Sequence, residues 1–287
     1  MGMFDRVIIV DWSAASKPSP RRPSADAIWI ADHSLTAQTC HYLRTRASAE
    51  TYLTCAILAA QRAGQRLLIG CDFPFGYPAG FARALTGQAT ARAVWAYLAH
   101  VVTDKDDNAN NRFAVASAIN ARFGNGPFWG CPAGAQNPHL SPRKHVDYTA
   151  LPFAERRMIE RAIPAAQPVW KLFTTGSVGS QSLMGLPMIH RLAQMQGVSV
   201  WPFDSDLSPV VLAEVYPSLL AEKIAHHMAQ LGAAAIKDDV QVQFLARALI
   251  GQPPQIMAQI LALPDPAAVE EGWILGAGFA AELAAKL

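Results

Sequence analysis

The run RVIIVD, Arg6 to Asp11, sets four β-branched residues in a row and closes them with a carboxylate. Such side chains are stiff at χ1 and suit a pleated backbone, so the run reads as a strand. A second apolar run, AIWIA from Ala27 to Ala31, follows the stretch KPSPRRPS, Lys17 to Ser24. The Pro and Ser density of that stretch fits a hairpin connection, and the two strands are expected to be antiparallel neighbours. A third run, RLLIGC from Arg66 to Cys71, leads straight into Asp72.

Between and after these strands, apolar residues recur at three- and four-residue steps. Tyr52, Leu53, Ala56, Ile57 and Ala60 mark a helix over 49–62, with Gly64 placed to end it. Further helices are expected over 81–102 with a break near Gly87, then 109–123, 155–163, 187–196, 218–231 and 238–250, and a last helical stretch from Asp265. Strands are expected at 198–203 and 210–216. Alternating strands and helices predict an α/β layered fold with partly parallel strands. The stretch 125–185 changes texture, with Gly, Pro, Trp and Asn early and basic residues later, and reads as an insertion or lid.

The 287 residues include 51% apolar residues but only 16% charged ones, against about 25% in a typical chain. Alanine, at 51 positions, accounts for much of this and points to helix. A chain so apolar, with a formal net charge of +2, buries enough surface to order itself. No long Lys/Arg run marks a duplex-DNA binder. No segment reads as a membrane span or an export signal, so the expected location is cytoplasmic. Cys40, Cys55, Cys71 and Cys131 match neither a zinc site nor a CxxC pair and are expected to be buried thiols.

The chemistry is expected where acids close strands: Asp11, Asp72 and Glu214, the last within VVLAEVYP. Ligands of open α/β sheets bind beyond the carboxyl ends of strands, where such groups converge. Asp238 and Asp239 open an apolar helix, and either one caps that helix or faces the same crevice. Converging carboxylates repel unless a cation sits among them, and hard oxygen ligands suit Mg²⁺ or Mn²⁺. A pair of such ions stabilises the attacking and leaving oxygens of a phosphoryl displacement.

The segments VIIVDWSA, IGCDFPFGYP, AEVYPSLLAEKI and KDDVQVQFLARAL, in that order, resemble the bacterial family catalogued as domain of unknown function 429. GSVGSQSLMGLP at Gly176 to Pro187, WPFD at Trp201 to Asp204 and EEGWILG at Glu270 to Gly276 extend the resemblance over nearly the whole chain, toward an alphaproteobacterial-type branch. The resemblance implies a ribonuclease H-like fold, like that of RuvC-type resolvases: one domain with a mixed sheet, an antiparallel front hairpin, flanking helices and the inserted lid. It implies metal ligation by Asp11, Asp72, Glu214 and one acid on the last core helix, Asp238 or Asp239. Asp238 and Asp239 are consecutive, a departure from resolvases, and cannot both face one site. The activity implied is a nuclease or phosphodiesterase. The competing reading is a non-catalytic accessory or cofactor-binding protein, since some family names are tied to molybdopterin guanine dinucleotide synthesis.

Ligand contacts are expected from Ser13 and Lys17 after the first strand, from the basic and aromatic lid (Arg143, Lys144, Trp170, Lys171), and from Ser177 and Ser180 in a Gly/Ser run. Cations interleaved with aromatics suit a nucleotide or single-stranded nucleic acid; the alternative is a lid that packs its aromatics on the core. The Gly/Ser run lacks the order and the Lys of a P-loop.

Overall fold

Val7, Ile8, Ile9 and Val10 are all fully buried, but in two different cores. Ile8 and Val10 enter one apolar cluster and Val7 and Ile9 the other, because successive strand side chains point to opposite faces. A strand apolar at every position therefore belongs in the middle of a sheet covered on both sides. The computed structural model describes residues 2–124, 126–135, 137–232, 234–263 and 265–287. In it β1 (Arg6–Asp11), β2 (Ile28–Ser34), β3 (Gln38–Leu43), β4 (Leu67–Cys71), β5 (Val198–Trp201) and β6 (Val210–Glu214) form one sheet of order β3-β2-β1-β4-β6-β5. The first three strands pair antiparallel, while β1-β4, β4-β6 and β6-β5 pair parallel. This mixed sheet, with its antiparallel front and helices on both faces, has the expected ribonuclease H-like α/β arrangement.

Eleven α-helices are described: α1 (Arg46–Arg62), α2 (Phe81–Thr86), α3 (Ala91–Val101), α4 (Arg112–Ala121), α5 (Met158–Ala162), α6 (Val178–Leu192), α7 (Ala221–Leu231), α8 (Lys237–Ile250), α9 (Pro254–Ile260), α10 (Ala268–Glu271) and α11 (Ala280–Ala284). Helices α1, α3, α4 and α6 share a core with one face of the sheet, and α7, α8, α9 and α11 with the other. The helix expected over 81–102 is two helices, separated at Gly87, whose φ of +81° is left-handed backbone that glycine adopts without strain. Helix α6 starts nine residues earlier than expected and carries Pro187 inside it. Its Gly185 lies so close to Phe73 that an added Cβ would stand 2.3 Å from the ring, which sets α6 directly over the residue after Asp72.

Three further sequence readings change, the first being helix α9, which falls between the expected helices at 238–250 and from Asp265. Strand β3 has no counterpart in the expected elements: it is an edge strand whose Gln38 and Thr39 are exposed, so it lacks the apolar signature of its neighbours. The four cysteines are not uniformly buried, since Cys55 is exposed and Cys40 half-buried while Cys71 and Cys131 are buried. Among the described residues no helix is long and apolar enough to cross a membrane.

Candidate functional site

Asp11 ends β1, and Asp72 follows the last residue of β4, the adjacent parallel strand. The Asp72 amide donates to the Val10 carbonyl at 2.9 Å, continuing the ladder and bringing the two acids level. Val10 belongs to the core under α1, α3 and α6, so Asp11, one residue on, points to the opposite side, where α8 lies. There α8 begins, and its Asp238 accepts a hydrogen bond from the Asp26 amide at 2.8 Å. Asp26 is held from its other side by Ser13, whose hydroxyl donates to the Asp26 carbonyl at 2.9 Å.

The electrostatics report the crowding. Burial, then the charges of Asp72, Asp238 and Asp26, hold the Asp11 carboxyl well above the usual carboxylate range. Burial, Glu214 and Asp238 push Asp72 up to about 7. Asp238 is also raised, by burial and Asp26, against the lowering effects of the Asp26 amide and Lys237. Every charged neighbour acting on Asp11 is acidic. Asp26 is a member of this group that the sequence reading missed. It sits in a polar turn with a φ of +56°, and nothing in that turn distinguishes it from an ordinary loop acid.

Of the two candidate acids at the start of α8, Asp239 faces away from the crevice. It accepts a hydrogen bond from Gln243 at 2.6 Å one helical turn on, and it faces the Cys40 thiol of β3. Consecutive helical residues diverge by about 100°, so placing Asp238 at the crevice takes Asp239 out of it.

Glu214 lies on the other side. Ala213 belongs to the α8-side core, so the next side chain turns toward the lid. There Arg157 donates to its two oxygens at 2.7 Å each, and the Phe75 amide adds a third bond at 2.9 Å. Arg157 also binds Glu160 at 2.7 Å and the Glu271 carbonyl at 3.2 Å. Burial alone would lower the Arg157 pKa, but Glu214 and Glu160 more than reverse it. Glu214 is thus engaged by a buried cation, and its negative charge reaches the crevice only through Asp72. A cavity of about 30 Å³, bordered by Asp72, Arg157, Glu160 and Glu214, lies between the two groups. That is space for a water molecule but not for a ligand.

Of the two readings of the lid, Trp170 follows the one in which aromatics pack on the core. Trp170 is fully buried, packed within 5.5 Å of Tyr77, Phe81, Phe128 and Phe153, and so is closed to a nucleobase. Lys144 pairs with Glu155 at 2.6 Å, and Lys171 donates to the Thr175 carbonyl at 2.5 Å. Arg143 is exposed. Ser180 is buried, donating to the Leu172 carbonyl at 2.6 Å and accepting from Arg112 at 3.1 Å. Ser177 is the residue before α6, and its side chain makes no capping bond. Lys17 is exposed on the loop that leaves β1. A cleft of about 670 Å³, lined by His139, His145 and Asp147 among others, lies in the lid and includes none of the strand-end acids.

Among the described residues no group of three or more His, Cys, Asp or Glu side chains stands ready to hold a metal ion. Comparison with models of known families, with curated proteins and with solved structures finds no match for this chain.

Proposed function

We propose that this chain is a divalent-metal-dependent hydrolase of phosphate esters, a nuclease or phosphodiesterase, and that it belongs to the domain of unknown function 429 family. The observation that carries the reading is the meeting of Asp11, Asp72 and Asp238 from two adjacent strand ends and a helix start, with no basic residue among the charges acting on Asp11. Isolated carboxylates crowded in this way favour a cation between them. Mg²⁺ and Mn²⁺ fit the donor set, since Mg²⁺ is commonly held by one or two carboxylates, with waters and substrate phosphate completing its shell. Three ligands standing ready are therefore not required. Asp11 and Asp72 are the residues to hold it, with Asp238 behind them. Such an ion supplies charge stabilisation at the phosphoryl oxygens and an activated water.

The chain's own groups do the rest. Ser13 and Asp238 clamp Asp26 and so shape the loop between β1 and β2 around the crevice. Arg157 neutralises Glu214, which keeps the lid docked on the end of β6. The engagement of Glu214 also favours a second reading, a non-catalytic protein that binds a nucleotide-like ligand in the same crevice, because one expected metal ligand is not free.

Hydrolysis of a short single-stranded oligonucleotide and of an activated phosphodiester, with Mn²⁺ or with EDTA, separates the two. The hydrolase reading expects Mn²⁺-dependent cleavage that Asp11→Asn abolishes while the fold persists. Thermal stabilisation by a nucleotide but not by Mn²⁺, with no cleavage, establishes the accessory reading instead.

A further inference from the structure

Arg112 opens α4 and is only 9% exposed, yet all its hydrogen-bond acceptors are neutral. Its Nε donates to Ser180 Oγ at 3.1 Å, and its Nη1 to Ser16 Oγ at 2.7 Å and Asn110 Oδ1 at 2.8 Å. No ion pair of the described residues includes it. The acid nearest in effect, Asp104, is gripped by Arg46 through two nitrogens at 2.6 Å each, so two buried guanidiniums share one counter-charge. Burial and the charge of Arg46 pull Arg112 down to about 10, which leaves it a cation at neutral pH.

A buried charge without a counter-ion is costly, and such groups are usually found paired. Nη2 of Arg112 donates to nothing among the described residues, and it is not one of the polar atoms sealed from solvent. The Phe113 ring covers one face of the guanidinium, its centroid 4.3 Å from the central carbon, and the Nη2 protons are the ones left without an acceptor. Arg112 lies on the α6 side of the loop that leaves β1, whereas Asp11 at the start of that loop faces α8. Ser16 lies five residues beyond Asp11, a chain span of at most about 18 Å. Gln181 of α6 donates to the Trp12 carbonyl at 2.5 Å and holds that same loop against the helix whose Ser180 meets Arg112. Lys17, exposed beside Ser16, adds positive charge to this end of the loop.

We propose that Arg112 Nη2 and the Ser16 hydroxyl form an anion subsite that receives a phosphate group of the ligand, on the loop leading away from Asp11. The proposal rests on the phosphate-ester reading of the crevice and names where a second phosphate of that ligand docks. With Nε and Nη1 committed to Ser180, Ser16 and Asn110, the two Nη2 protons remain for phosphate oxygens, and the Ser16 hydroxyl, which accepts from Nη1, still has its own proton to donate.

The test is thermal unfolding of the full chain in EDTA, with inorganic phosphate against sodium chloride at matched ionic strength. Phosphate raises the wild-type Tm by about 2 °C once its concentration passes about five times Kd. Arg112→Gln loses this gain. Ser16→Asp, which places a carboxylate beside the guanidinium, raises the Tm without phosphate and gains nothing further from it. No phosphate-specific gain in the wild type, or a gain that persists in Ser16→Asp, overturns the subsite, and that second variant decides the matter if Arg112→Gln does not fold. A parallel Mn²⁺ titration keeps the two readings apart. Phosphate stabilisation without Mn²⁺ stabilisation retains the subsite and removes the hydrolase, whereas Mn²⁺ stabilisation alone does the reverse.

Discussion

Arg157 holds Glu214 through two nitrogens at 2.7 Å each, and the two side chains are 1% and 3% exposed. The pair ties the lid, which carries Arg157, to the end of β6. Removing one member of a buried pair leaves the other charge uncompensated, which costs about 3–5 kcal/mol. Arg157→Met is expected to lose that much in urea denaturation, and adding Glu214→Gln to recover part of it. If the double variant is no more stable than Arg157→Met, the pair is not what holds the lid.

Asp72→Asn tests the crowding at the strand ends. The folded-state pKa of Asp72, about 7, lies above its unfolded value of 3.8, so the folded chain holds the proton more tightly. Its stabilising contribution is full below about pH 4 and is lost as pH rises through about 7. Asp11 is shifted in the same direction. The metal-free Asn variant should therefore gain stability relative to wild type between pH 5 and pH 8, as read by denaturant midpoints. Mn²⁺ should stabilise the wild type more at pH 8 than at pH 5, and the variant less at both.

His33 gives the opposite slope. It is fully buried on β2 under α8, and neither ring nitrogen has a hydrogen-bond partner. Burial, then the charge of Arg247 on α8, lowers its pKa, against the opposing effect of Asp32 beside it. The unfolded chain takes up the proton first as pH falls below about 6.5, so stability is lost on acidification. His33→Leu should abolish that part of the loss between pH 7 and pH 5, and an unchanged slope would show that His33 is not its source.

Trp170→Ala is expected to cost about 3–5 kcal/mol of stability, because the ring is fully buried among four aromatic neighbours. Lys17→Ala, on an exposed loop position, should change stability by less than about 0.5 kcal/mol. Urea denaturation of the two variants compares them directly. A small loss for Trp170→Ala would mean that the ring is not a packing residue and is free to meet a ligand.

The central strands, the antiparallel hairpin and most helices were legible in the chain itself, because apolar periodicity reflects which faces must be buried. The run Val7 to Val10 specifies its own surroundings, since four consecutive apolar residues in a strand need a layer on each side. Strand ends bearing Asp11 and Asp72 were legible for the same reason. What tertiary structure alone decided is which acids share a space. The pleat of β6 turns Glu214 toward the lid and Arg157, the helical step of about 100° sends Asp238 inward and Asp239 toward Gln243, and a left-handed turn brings in Asp26. Local pattern specifies an element and its buried face. The partner of a charged side chain is set by residues 57 or 212 positions away, as with Arg157 and Glu214 or Asp26 and Asp238, and only packing brings those together.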